Sequence, residues 1–93
     1  MRTIERTNQF KRDYKRELKG LHRATLNEDF VEVVKLLVND LPLPERYRDH
    51  ALTGDWKDFR DCHIKPDLVL IYQKTADMIF RLARIGSHSE LGL

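Results

Sequence analysis

Between Thr7 and Leu41 the apolar residues recur at helical spacing. Phe10, Tyr14 and Leu18 return every fourth position, a narrow stripe that predicts a first helix. Thr7 is placed to cap it and Gly20 to stop it. The second pattern is stronger. Leu26, Phe30, Val33, Val34, Leu37 and Leu41 share one face at 3.6 residues per turn, with Glu28, Asp29, Glu32 and Lys35 opposite. Pro42 and Pro44 are expected to end that helix. Residues 45–55 carry neither period and read as an irregular connection closing in a turn at Gly54-Asp55.

Beyond that turn the period becomes that of extended chain. Residues 56–64, 68–72 and 78–85, rich in aromatic and branched side chains, predict three strands. Lys65-Pro66 and Thr75-Ala76-Asp77 join them as short turns, so neighbours should run antiparallel. Residues 2–6 are a weaker candidate for an edge strand, and residues 86–93 are too short and polar for another. The expected fold is α+β in two layers: two N-terminal helices on one face of an antiparallel sheet of three to four strands. With 93 residues it should form a single domain, 1–93.

Composition narrows the class. At 41% hydrophobic and 34% charged, with signs well mixed, the chain can bury one modest core and is not of the disordered type. Its net charge of +2 is unevenly spread. Residues 1–23 hold eight basic and three acidic side chains, a net of +5, and the remainder hold nine and twelve, a net of −3. A basic end suits a polyphosphate partner, though it equally suits a solvated helix face. Cys62 is the only cysteine, which excludes an internal disulfide and fits a reducing cytoplasm. No apolar run approaches the roughly 18 residues that span a bilayer, and no signal-like segment opens the chain, so no membrane partner is expected.

Candidate chemistry gathers in the second half. His50 lies before the sheet, His63 ends a strand, Asp67 begins the next across a short turn, and His88 sits in the tail. The turn holds His63 and Asp67 near each other, and topology can bring His50 and His88 to the same end of the sheet. Imidazole titrates nearest neutral pH, so two such rings can hold one proton and lack another. RNA carries its own nucleophile in the 2′-hydroxyl. Its cleavage needs a base, an acid for the leaving 5′-oxygen, and cations for the phosphorane charge. Two histidines, an orienting carboxylate and an arginine such as Arg84 meet that list without a metal or other cofactor.

Three other readings stand beside this one. Isolated histidines at strand ends are commonly polar surface. Three histidines and an aspartate could ligate zinc, although spacings of thirteen and twenty-five residues match no compact zinc motif. Trp56, Phe59 and Tyr72 read as packing residues, and Arg60 and Arg81 as partners for Asp58 or Asp61.

Three stretches carry a resemblance. Leu41-Pro42-Leu43-Pro44, Tyr47-Arg48-Asp49-His50 and Leu52-Thr53-Gly54-Asp55-Trp56-Lys57 make up the first. Arg60-Asp61-Cys62-His63-Ile64-Lys65-Pro66-Asp67 with Leu70-Ile71-Tyr72 is the second, and Arg84 with Gly86-Ser87-His88-Ser89-Glu90-Leu91 the third. In order and spacing they resemble the YafQ branch of the RelE-like toxins, closely over residues 41–91 and in pattern over the helical half. The resemblance implies the toxin of a type II toxin–antitoxin system. Such a toxin is a ribosome-dependent endoribonuclease that cuts mRNA in the ribosomal A site and inhibits translation. It further implies a DinJ-like antitoxin as partner, and operator DNA bound only through the antitoxin complex.

The family's catalytic set falls on His50, His63, Asp67 and His88, with His50 and His88 the expected proton-transfer pair. Arg84 resembles the family's phosphate-stabilising arginine, and Lys57 and Arg60 join it as expected substrate-binding residues. The chain departs from the pattern at Leu68 and Gly92, where the family often has aromatic residues. A catalytically degenerate toxin that only complexes its antitoxin and operator DNA is therefore the alternative.

Overall fold

The computed structural model describes all of residues 1–93. A short strand β1 (Thr3–Arg6) leads into helix α1 (Asn8–Glu17) and helix α2 (Leu26–Val38). Then come β2 (His50–Ala51), β3 (Arg60–Lys65), β4 (Leu68–Lys74), β5 (Ile79–Gly86) and a one-turn helix α3 (His88–Leu91). The five strands lie in the order β1-β5-β4-β3-β2. The class is the expected α+β, and two features differ from expectation. The sheet has five strands rather than three or four, and it is mixed, because β1 pairs parallel with β5 in the register Ile4 to Phe80. The tail, too short and polar for another strand, forms α3 instead, held by a capping box in which the Ser87 hydroxyl accepts from Glu90 N–H and the Glu90 carboxylate accepts from Ser87 N–H.

Both long helices cover one face. Phe10 of α1, Leu26, Val33 and Leu37 of α2, and Leu70, Phe80, Leu82 and Ile85 of the sheet bury their side chains together. Phe10, Tyr14 and Phe30 stack where the two helices meet. The opposite face has a smaller apolar cluster of Val69, Ile71, Ala83 and Leu91, with Leu52, Trp56 and Phe59 packed against it. Strand alternation therefore sends Cys62 and Ile64 toward the helices and leaves Asp61 and His63 on the other face.

The helix ends also depart from expectation. Leu18 lies beyond α1 and is exposed, so the first stripe contributes only Phe10 and Tyr14 to packing. Leu41 is likewise outside α2 and exposed. The prolines do not end α2. Asp40 takes a left-handed conformation (φ 56°), Leu41 N–H donates to the Leu36 carbonyl and Asp40 N–H to that of Leu37, a Schellman closure two residues before Pro42. The Asp40 carboxylate then receives Arg2 and Lys74, which ties the helix end to the residue before β1 and to β4.

What replaces β1 along the rest of β5 is α1 itself. Beyond Leu82 no strand pairs with that edge, and its backbone groups are met by helix side chains. The Thr7 hydroxyl donates to the Ala83 carbonyl at 2.8 Å, Arg16 Nη2 donates to the Ile85 carbonyl at 3.2 Å, and Ile85 N–H donates to Asp13 Oδ2 at 3.2 Å. Asp13 is wholly buried and also receives Arg84 through two hydrogen bonds, at 2.9 and 3.0 Å, and Gln9 at 3.0 Å. Burial alone would raise this carboxyl. The donors of Arg84, Gln9 and Ile85 outweigh it and hold the group below the usual carboxylate range.

Removing a buried carboxylate so engaged strands its partners. Asp13→Ala is expected to cost about 3 kcal/mol of stability in urea unfolding. Because the folded-state pKa is depressed, the contribution of Asp13 is present above pH 3.8 and lost as pH falls through the folded value, so wild type and variant should converge in acid.

Candidate active site

Three elements bring the histidines together. In the shortest strand, His50 pairs with Asp61 of β3. His63 follows Asp61 by two residues on the same face, and α3 places His88 over the same corner. The His63 ring centroid lies 6.3 Å from that of His50 and 5.0 Å from that of His88. Asp67, from the β3–β4 turn, completes the group: its Oδ1 accepts from His88 N–H at 3.1 Å and sits 2.6 Å from His88 Nδ1. The expected partnership of Asp67 with His63 is thus replaced by one with His88, since the turn directs the carboxylate toward the start of α3.

These contacts set the tautomers. The Arg48 carbonyl lies 2.8 Å from His50 Nδ1, and a carbonyl can only accept, so that nitrogen carries the proton. The Asp67 carboxylate imposes the same on His88 Nδ1. Nε2 is left free of these acceptors on both rings, each oriented from behind through Nδ1.

Asp61 was read from sequence only as a partner for arginine. It lies almost fully buried beneath the cluster, with Oδ1 3.1 Å from His50 Nδ1 and no hydrogen-bond partner of its own. Burial raises its carboxyl, and Asp49 adds to that, while the three histidines act in the opposite direction. Burial depresses His63, with the positive charge of His88, His50 and Arg48 acting the same way and Asp61 opposing. At neutral pH the central ring is therefore uncharged.

The cationic residues are arranged differently from expectation. Arg84 commits its guanidinium to Asp13, Arg60 pairs with Asp49 at 3.2 Å, and Arg81 with Glu5 at 2.6 Å, not with Asp58 or Asp61. Lys57 is exposed in the bend before β3. None of these four lines the cavity of about 610 Å³ that opens beside His63 and His88. Arg46, Arg48 and Lys65 do, and sequence reasoning passed over all three, although Arg48 and Lys65 stand inside the matched motifs. Cys62 is buried on the helix side, where its thiol is pushed far up by desolvation. No three His, Cys, Asp or Glu side chains meet in an arrangement that could hold a metal ion, and no helix is long and apolar enough to cross a membrane.

The departures from the family pattern also have places. Leu68 is buried in the helix-side core, so this residue packs and does not face the cluster. Gly92 takes a left-handed conformation (φ 71°) that closes α3, with Leu93 N–H donating to the His88 carbonyl at 2.9 Å.

A two-layer α+β domain with a surface cluster of backbone- and carboxylate-oriented histidines is the build of a toxin of the type II toxin–antitoxin class. Residues 2–92 match the family described as "Bacterial toxin of type II toxin-antitoxin system, YafQ". The mRNA interferase toxin YafQ of Escherichia coli K12 is 40% identical over 90 residues, 97% of this chain and 95% of the relative. YafQ in the crystal structure of the E. coli DinJ–YafQ complex superposes with a TM-score of 0.83 at 39% identity, covering 98% of each chain. A metal-bound toxin from Helicobacter pylori superposes at 0.85 with 41% identity, over 98% of this chain and 99% of that one. The chain belongs to the YafQ family.

NMR titration should find His63 protonating below the usual 6.5, and lower still in Asp61→Asn, which removes the opposing charge. In this group the unfolded chain binds the proton more readily. Its contribution to stability is therefore complete above pH 6.5 and lost as pH falls toward the folded value.

Proposed function

We propose that this toxin is a ribosome-dependent endoribonuclease that cuts mRNA in the ribosomal A site, with His50, His63, Asp67 and His88 as its catalytic group. The observation that carries the reading is the pair of imidazoles, each with Nδ1 engaged from behind and Nε2 free. One Nε2 lone pair takes the proton from the 2′-hydroxyl as O2′ attacks the adjacent phosphorus. The other ring, protonated, gives its proton to the departing O5′. The phosphorus–O5′ bond breaks, leaving a 2′,3′-cyclic phosphate and a free 5′-hydroxyl. Asp67 holds His88 in the productive tautomer and stabilises positive charge on it; for His50 the Arg48 carbonyl holds the tautomer, and the Asp61 carboxylate stabilises the charge from beneath. Uncharged His63, between them, donates a hydrogen bond to a phosphate oxygen.

The proton balance closes on side chains alone, so the reaction as proposed requires no metal. Relatives crystallised as a DinJ–YafQ complex support a DinJ-like antitoxin as the neutralising partner. Operator DNA would then be bound only through that complex, and the toxin would act in the cytoplasm, where ribosomes translate.

Induced without antitoxin, the protein should arrest growth and generate new 5′ ends inside translated codons. His50→Ala and His88→Ala should each lower the cleavage rate by about 10²–10⁴-fold while circular dichroism stays unchanged. Normal growth with intact message from folded protein would leave only the antitoxin-binding role. A chelator selective for transition metals, with the ribosomes' magnesium retained, should not slow cleavage; inhibition reversed by added metal would refute the metal-free route.

A further inference from the structure

The cavity beside the catalytic corner is walled by α2 through Asp29, by the turn carrying Arg46, Tyr47 and Arg48, and by the β3–β4 turn through Lys65. Its three cations are not equivalent. Lys65 is paired with Asp29. Arg46 donates to the Tyr47 hydroxyl at 3.0 Å and to Glu32 at 3.3 Å, and its guanidinium carbon stands 4.7 Å from the centre of the Tyr47 ring. The Arg48 guanidinium has neither a hydrogen bond nor an ion pair.

Backbone geometry singles out the same residue. Arg48 adopts φ 48°, ψ 47°, a left-handed conformation unfavourable for any side chain with a Cβ. The conformation is held from both sides. Arg48 N–H donates to the Glu45 carbonyl at 3.0 Å, and the Arg48 carbonyl receives His50 Nδ1. Glycine or asparagine would occupy the position with less strain, so an arginine there is not explained by the fold. The kink aims the backbone carbonyl at His50 and puts the side chain in the cavity wall, with His63 and His88 also lining that cavity.

We infer that this cavity is the subsite for the nucleotide flanking the scissile phosphate, and that Arg48 is the residue that binds that nucleotide's phosphate. The inference rests on the nuclease reading and adds the place where RNA is gripped. Its size suits a nucleotide, and a planar guanidinium with no protein partner matches the paired oxygens of a phosphodiester. The charge of Arg48 already reaches His63, which it helps to keep unprotonated. Arg48 would therefore link substrate placement to the catalytic rings through space as well as through its carbonyl.

The test uses the full chain and an RNA trinucleotide with 2′-deoxyribose at its first and central positions, which removes the nucleophile from both linkages, so it binds but cannot be cut. Arg48→Gly deletes the guanidinium while suiting the left-handed backbone, so folding should be retained. Binding should weaken about tenfold, as for a lost charge-assisted hydrogen-bond pair. The slope of log affinity against log salt should become shallower by about 0.7, the share of one single-strand phosphate. Arg48→Lys should restore the salt slope but only part of the affinity. Wild-type affinity and slope in Arg48→Gly would overturn the inference, as would failure of the wild-type chain to bind the trinucleotide. A loss of affinity at unchanged slope would also overturn it, because Arg48 would then act only through its backbone. Intact message in ribosome assays of the wild-type toxin would instead refute the nuclease reading, whatever the trinucleotide does.

Discussion

A buried carboxylate organises this molecule. Asp13 sits where β1 has ended and β5 continues, and it supplies to β5 the acceptor that a neighbouring strand would have given. The same group neutralises Arg84 and receives Gln9, so one side chain fastens α1 to the sheet through backbone, cation and amide together. Arg16, one turn on, carries the network outward. It reaches the Ile85 carbonyl and lies 3.2 Å from Glu90, whose carboxylate caps the helix that presents His88. Gly86 is the crossing point, since a Cβ there would come within 3.0 Å of Arg16 Nη2 and 3.3 Å of Glu90 Oε1. Helix position, sheet edge and the helical turn that carries His88 are thus joined by a polar chain.

That dependence explains which parts of the architecture were visible in the residue pattern. β4 and β5 are rich in branched and aromatic side chains, and α2 has a full apolar face, so burial wrote their period into the chain. β2 has two residues, too few to show any period, and the parallel pairing of β1 with β5 joins residues more than seventy positions apart. No local signal encodes either. Asp13, polar in the middle of a basic helix, looks like a solvated position and is the most buried charged group in the molecule. The capping box of α3, Ser87 followed three residues later by Glu90, was there to be read but lies in a segment that suggested a tail.

The candidate site shows the same division. His50, His63 and His88 stood out because histidine is scarce in this chain, and Asp67 because it follows His63 across a short turn; the fold gathers all four. Pairings were less legible. The short turn placed Asp67 beside His63 in sequence, whereas alternation along β3 and the entry to α3 gave it to His88. Arg84 looked like a phosphate ligand by position, and in the fold its guanidinium is bound to the buried Asp13 carboxylate. Which carboxylate an arginine meets is not written at its own position in the sequence. The basic excess of the first 23 residues divides likewise, with Arg2 and Arg16 paired to carboxylates and Arg6, Lys11, Arg12, Lys15, Lys19 and Arg23 exposed without an ion pair.

The brevity of β2 has a kinetic side. His50 rides on a two-residue strand at the sheet's edge, and His88 on a single helical turn, while the core that supports them is built of much longer elements. Short edge elements open locally at a fraction of the free energy of global unfolding. The corner that holds the histidines therefore belongs to the least protected part of the molecule. Amide hydrogen exchange at Ala51 and His88 would outpace that of β4 by orders of magnitude. Local opening of this corner would separate the imidazoles while the body of the toxin stays folded.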